Sequence, residues 1–135
     1  MSTTETLITK YDQLTKAWQA AEKLIGHVPC PVLLKVNETE TADIDRRYVL
    51  TEFLGVQRIN NTWRLCYGTV RDDYEDIADW KPVVDCTVEV RVQMAHKFKE
   101  LLAEIEKVRV AFIPLVDIAI SALNAVIEVE EAFGG

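Results

Sequence analysis

The stretch that most restricts how this chain can fold is residues 110–127, which are apolar apart from Pro114 and three polar side chains, Asp117, Ser121 and Asn124. At 100° per residue Asp117, Ser121, Asn124 and the following Glu128 fall on one stripe about 60° wide, so about 300° of the helix surface is apolar. A surface helix needs an apolar face of only about 100°. This helix therefore requires cover on almost every side. The run is just long enough to cross a bilayer, but an Asp near the middle costs about 2.5–3.5 kcal/mol on insertion scales, and Pro114 and Asn124 add to it. A membrane is accordingly not expected, and protein is expected to supply the cover. A single sheet face cannot do so alone, which predicts a two-fold homodimer through the helix over roughly residues 115–133, with Ile120 and Leu123 in the contact.

Pro114 removes a helix hydrogen bond and crowds the preceding turn, so a helix arriving from upstream is expected to kink or break between Arg109 and Pro114. Upstream, residues 86–94 fit two periods. Cys86, Val88, Val90, Val92 and Met94 alternate as in a strand, whereas Val88, Val92, Ala95, Phe98, Leu102 and Ile105 follow helical spacing. The helical spacing continues further and predicts a helix starting at an Asp85 cap.

At the other end, Ser2 and Glu5 fit a capping box, and Leu7, Tyr11, Leu14, Trp18, Ala21 and Ile25 recur every three or four residues. This predicts an amphipathic helix stopped by Gly26, Pro29 and Pro31. Residues 32–36 then read as a short strand and residues 37–45 as a polar loop. Residues 48–59 and 62–70 are rich in β-formers and flank Asn60-Asn61, which suits a two-residue turn with positive φ. Cross-strand partners then sum to 121. Arg58–Trp63, Val56–Leu65 and Leu54–Tyr67 take the core face; Gln57–Arg64, Gly55–Cys66 and Phe53–Gly68 take a wetter or thinly covered face. The segregated elements predict one α+β domain over residues 1–135: an N-terminal helix, a three-stranded antiparallel sheet with a long β-hairpin, and a C-terminal helical pair packed on one sheet face.

No motif fixes a reaction. Five glycines and the absence of phosphate-cradling or nucleophile-elbow patterns weigh against nucleotide-dependent or hydrolytic enzymes. His27 and Cys30, with Cys66 or Cys86, have the ligand types for zinc but not the paired spacing, and buried inert cysteines are the simpler reading. His27 beside Cys30 is equally poor grounds for a nucleophile, with no oxyanion hole in prospect. No metal or cofactor is expected. The net charge of −7 opposes binding to a phosphate backbone, and Arg46, Arg47, Arg58, Arg64 and Arg71 fall on different faces of the hairpin. Asp72, Asp73, Glu75, Asp76 and Asp79 form an acidic segment that does not match a calcium loop; Asp72, Asp73, Asp76 and Asp79 are candidates for docking a basic protein surface.

Three widely spaced cysteines and an N-terminus without a signal-peptide pattern favour the cytoplasm. The order of hairpin, acidic segment and helix has the general look of small accessory proteins of bacteria or phages. The expected function is thus a non-enzymatic interaction protein that self-associates through its C-terminal helix. The alternative is a small-ligand domain or modest enzyme with a pocket between sheet and helices near Trp63, Tyr67, Asp117 and Asn124.

Overall fold

A computed structural model describes residues 2–42, 46–73 and 80–134. Helix α1 (Thr3–Ile25) opens where Ser2 Oγ accepts the Glu5 N–H at 3.1 Å, and it closes at Gly26, whose φ of +56° suits a residue without a Cβ. Four antiparallel strands follow in the spatial order of the chain: β1 (Val32–Ala42), β2 (Arg47–Ile59), β3 (Thr62–Arg71) and β4 (Lys81–Pro82). A 3-10 turn (Val83–Asp85) leads to α2 (Val88–Ala95) and α3 (Phe98–Gly134). The mixed helix-and-sheet architecture agrees with the sequence, with four strands rather than three.

The hairpin has the expected register. Asn60 and Asn61 both have positive φ, 50° and 64°, and Arg58–Trp63, Val56–Leu65 and Leu54–Tyr67 are partners. Leu54, Val56 and Leu65 are fully buried beneath the helices. The other face has the thin cover. Trp80 lies directly over Gly68, where a Cβ would sit 2.7 Å from the indole, and its ring is 6.3 Å from that of Phe53.

Three local expectations are corrected. Residues 37–42 form a strand, because pairing with residues 47–52 of β2 needs backbone groups and not apolar side chains; a register shift between Lys35 and Asn37 absorbs one residue. Helix α2 starts later than expected, since the 3-10 turn occupies Asp85 and the cap passes to Thr87, whose Oγ accepts the Val90 N–H at 3.4 Å. Finally, the break between C-terminal helices falls at His96 and Lys97, and α3 runs unbroken through Pro114 for 37 residues, about 55 Å. Pro114 forfeits the N–H that would reach the Val110 carbonyl, a loss that the helix absorbs without breaking.

The core lies between one sheet face, α1, α2 and the first turns of α3. Trp18 and Ile25 from α1 meet Val28, Val32, Leu54, Val56, Leu65, Val83, Met94, Leu101 and Ile105. Trp18 joins the three helices: its ring meets Phe98 edge-on at 6.1 Å and its Nε1–H donates to the Arg91 carbonyl at 3.1 Å. At the lower end of α1, Arg109 of α3 donates to the Ile25 carbonyl. Trp18 beside Phe98 and Ile25 beside Arg109 mean that α1 and α3 run in the same direction. Their free lengths, the first turns of α1 and the second half of α3, therefore leave the domain at opposite ends.

Candidate functional site

Helix α3 changes character partway along. Leu101 and Ile105 are fully buried and Phe98, Leu102 and Val108 pack against them, but from Ile113 to the end of the helix every described residue is exposed. The expected helical pair on one sheet face thus holds only for α2 and the first half of α3. The apolar stretch of 18 residues has none of its length buried. Ile113, Ile118 and Leu123 are 61%, 66% and 64% exposed, so different sides of the helix are equally bare. A shallow groove marks its base, formed by His27 and Pro29 against Phe112, Ile113, Val116 and Asp117, with Arg109 tied to the end of α1.

Ile120 and Leu123, expected at a dimer contact, are therefore solvent-facing in the single chain. The proposed pocket residues occupy two environments. Trp63 and Tyr67 pack against the core, whereas Asp117 and Asn124 stand on the bare length of α3. Trp63 also carries the Arg58 guanidinium 6.0 Å from its ring centroid. Tyr67 belongs to a polar group across three strands: its hydroxyl donates to Glu52 Oε1 at 2.6 Å, and Asn37 Nδ2 donates to Glu52 Oε2 at 3.1 Å. Burial and the Glu52 carboxylate push the Tyr67 hydroxyl well above its ordinary pKa, which holds it neutral as a structural donor.

The acidic segment is partly committed to the sheet. Asp72 Oδ1 accepts the Val49 N–H at 2.8 Å, and Asp73 pairs with Arg71 at 2.8 Å; that guanidinium holds the Asp73 carboxyl below the usual range. Asp76 and Asp79 lie outside the described residues. Arg71 also stacks on Tyr48 at 3.7 Å, and Arg64 is held by Glu22, so these two arginines are not loose members of a basic strip.

Cys66 is fully buried, and desolvation pushes its thiol up to about 11; Cys86 is shifted in the same direction for the same reason. Neither suits nucleophilic work, which needs a thiolate near neutral pH. Among the described residues no three His, Cys, Asp or Glu side chains gather where they could hold a metal. Two features escaped the sequence reading. Glu22 reaches from α1 to the open edge of β3, and Leu7 and Tyr11, in the apolar stripe of α1, remain exposed because the first three turns extend past the core. Lys107 and Arg109, immediately before the bare run, were the available sequence signal for a boundary there. Comparison of the chain with protein-family models, with curated proteins and with solved structures finds no match.

Proposed function

We propose that this chain is a non-enzymatic interaction module held at a lipid bilayer by the second half of α3. The observation that carries the reading is an 18-residue apolar stretch of α3 none of whose residues is buried by the described chain. At 1.5 Å per residue it spans about 27 Å, close to the roughly 30 Å of a bilayer's hydrocarbon. A soluble two-stranded pairing through Ile120 and Leu123 would cover a seam of about 100° and leave about 200° of apolar surface in water. Lipid covers the whole circumference.

The magnitudes favour lipid over water. Ten Val, Ile, Leu and Phe side chains lie in residues 110–127. At about half burial each, they are worth on the order of 10 kcal/mol in an apolar medium. On the more conservative insertion scale they give about 3–6 kcal/mol, against which Asp117 sets about 2.5–3.5 and Pro114 and Asn124 add more, so on that scale the balance lies near zero and the area buried is what favours lipid. Lys97, Lys99, Lys107 and Arg109 precede the run, and residues 128–134 carry three glutamates and no base, which favours the folded domain on the cytoplasmic side. There the acidic segment from Asp72 would face basic partner surfaces.

Fractionation of cells expressing the full chain tests this. The protein should stay with membranes through alkaline carbonate extraction, and a chain ending at Phe112 should move to the supernatant. Protease added from the cytoplasmic side should digest the domain. A full-length protein found as a soluble, monodisperse oligomer would overturn the proposal and restore the soluble homodimer.

A further inference from the structure

Resting on that membrane reading, we infer that the turn between α1 and β1, residues 26–31, is a second lipid contact, which seats the domain in the headgroup layer of the leaflet that α3 enters. His27 and Pro29 of this turn line one groove with Phe112, Ile113, Val116 and Asp117. Those α3 residues lie about 3–11 Å along the apolar run that starts at residue 110. Interfacial segments place their apolar groups about 5–10 Å into the boundary between headgroups and acyl chains. A bilayer that takes up residues 110–127 therefore reaches the turn as well. The turn cannot swing clear of it, because Val28 is fully buried in the core and Arg109 of α3 donates to the Ile25 carbonyl at the end of α1.

The composition of the segment is an independent observation. Residues 24–34 include no Asp, Glu, Lys or Arg, and Lys23 and Lys35 close the stretch at either end. Pro29 and Pro31 have no N–H to leave unpaired in a layer poor in water. Leu24, on the last turn of α1, is 68% exposed, and Pro31 is exposed too, so both add apolar surface that the chain leaves uncovered. Exposed lysines flanking an uncharged apolar turn suit an anionic leaflet: the apolar groups enter the boundary while the ammonium groups reach the phosphates.

The experiment uses the full-length protein reconstituted into vesicles of phosphatidylcholine and phosphatidylglycerol, part of the lipid carrying bromine high on its acyl chains, where it quenches nearby tryptophan. His27→Trp reports from the turn and Leu24→Trp from the helix end before it. Ile8→Trp, at a position 62% exposed and about 25 Å back along α1 from Ile25, reports from the far side of the domain. Wild type supplies the background from Trp18, Trp63 and Trp80. Near-ultraviolet circular dichroism checks that each variant is folded, and two probes at the seat keep the test open if one of them is not. All should float with the vesicles. The two seat probes should shift to the blue and lose their added emission to the brominated lipid, whereas Ile8→Trp should lose none beyond wild type. Floating protein whose seat probes are unquenched overturns the lipid seat and leaves the anchor standing, as does equal quenching in Ile8→Trp. Wild type that does not float overturns the anchor, and the seat with it.

Discussion

The contact between α1 and the open edge of β3 gives the domain's most informative single perturbation. Among the described residues strand β4 pairs with β3 only at Cys66 and Tyr67, so the Leu65 N–H next to them has no partner in β4. Glu22 fills the gap. Its Oε2 accepts the Leu65 N–H at 3.2 Å and Arg64 Nε at 2.7 Å, while Oε1 accepts from Arg64 Nη2 at 3.3 Å. The pair is half-sheltered, with 16% of the Glu22 side chain exposed and 31% of Arg64. Glu22→Ala strands a backbone donor and releases Arg64, so it should cost about 2–3 kcal/mol. Arg64→Ala leaves Glu22 its backbone bond and should cost about 1 kcal/mol. Glu22→Gln keeps one acceptor and should fall between them. For a domain of this size each kcal/mol moves the melting temperature by about 3–5 °C. Urea unfolding of the four members of a double-mutant cycle, with Glu22→Ala and Arg64→Ala combined, should give a coupling of about 1 kcal/mol. Additive effects, or a Glu22→Ala cost no larger than that of Arg64→Ala, would show that Glu22 does not seal this edge.

Stability should fall as pH rises from about 9 towards 11, because the folded domain keeps the Cys66 thiol protonated to about 11 while the unfolded chain releases that proton earlier. A raised folded-state pKa gives a contribution that is intact below the unfolded pKa and lost as pH rises through the folded one; Cys66→Ala should lessen the slope in that window, with Cys86 and Tyr67, shifted the same way, supplying the rest, and an unchanged slope would remove Cys66 as a source. Gly68→Ala should dislodge Trp80, since the added Cβ would lie 2.7–2.9 Å from three of its ring carbons. A cost of about 1–3 kcal/mol and a red shift in tryptophan emission are expected; unaltered emission would mean that Trp80 does not lie over the sheet.

The hairpin was legible because three independent signals coincide in it. Asn60-Asn61 fixes the turn, alternation fixes the face, and the two together fix every pair down to Leu50–Arg71. Residues 37–42 were misread because strand pairing is satisfied by backbone groups, and a Glu-Thr-Glu-Thr stretch with little apolar content resembles a loop in composition. The Thr87 cap was hidden by its neighbour: Asp85 is the better cap by residue type, and only the intervening turn removes it. The Glu22 contact could not be read at all, since nothing local relates residue 22 to the edge of a strand 43 positions away.

The destination of residues 110–127 depends on a quantity that periodicity does not contain. Helical spacing gives the angular distribution of apolar groups, and it gave the stripe of Asp117, Ser121 and Asn124 correctly. It does not give the area that the rest of the chain has left to cover them. Here α1 and α2 are consumed by the sheet: Trp18, Ile25 and Met94 are buried against Leu54, Val56 and Leu65, and the core takes α3 only as far as Val108, with Arg109 and Phe112 at its edge. Parallel packing of α1 and α3 then sends the remaining helix away from every other element, because α1 stops at Ile25 beside Arg109. Had the two helices been antiparallel, the free turns of α1 with Leu7 and Tyr11 would have lain along residues 113–127, covering part of the apolar surface. The relative direction of two helices, set by a tryptophan at one end of their contact and an arginine at the other, is what leaves α3 bare.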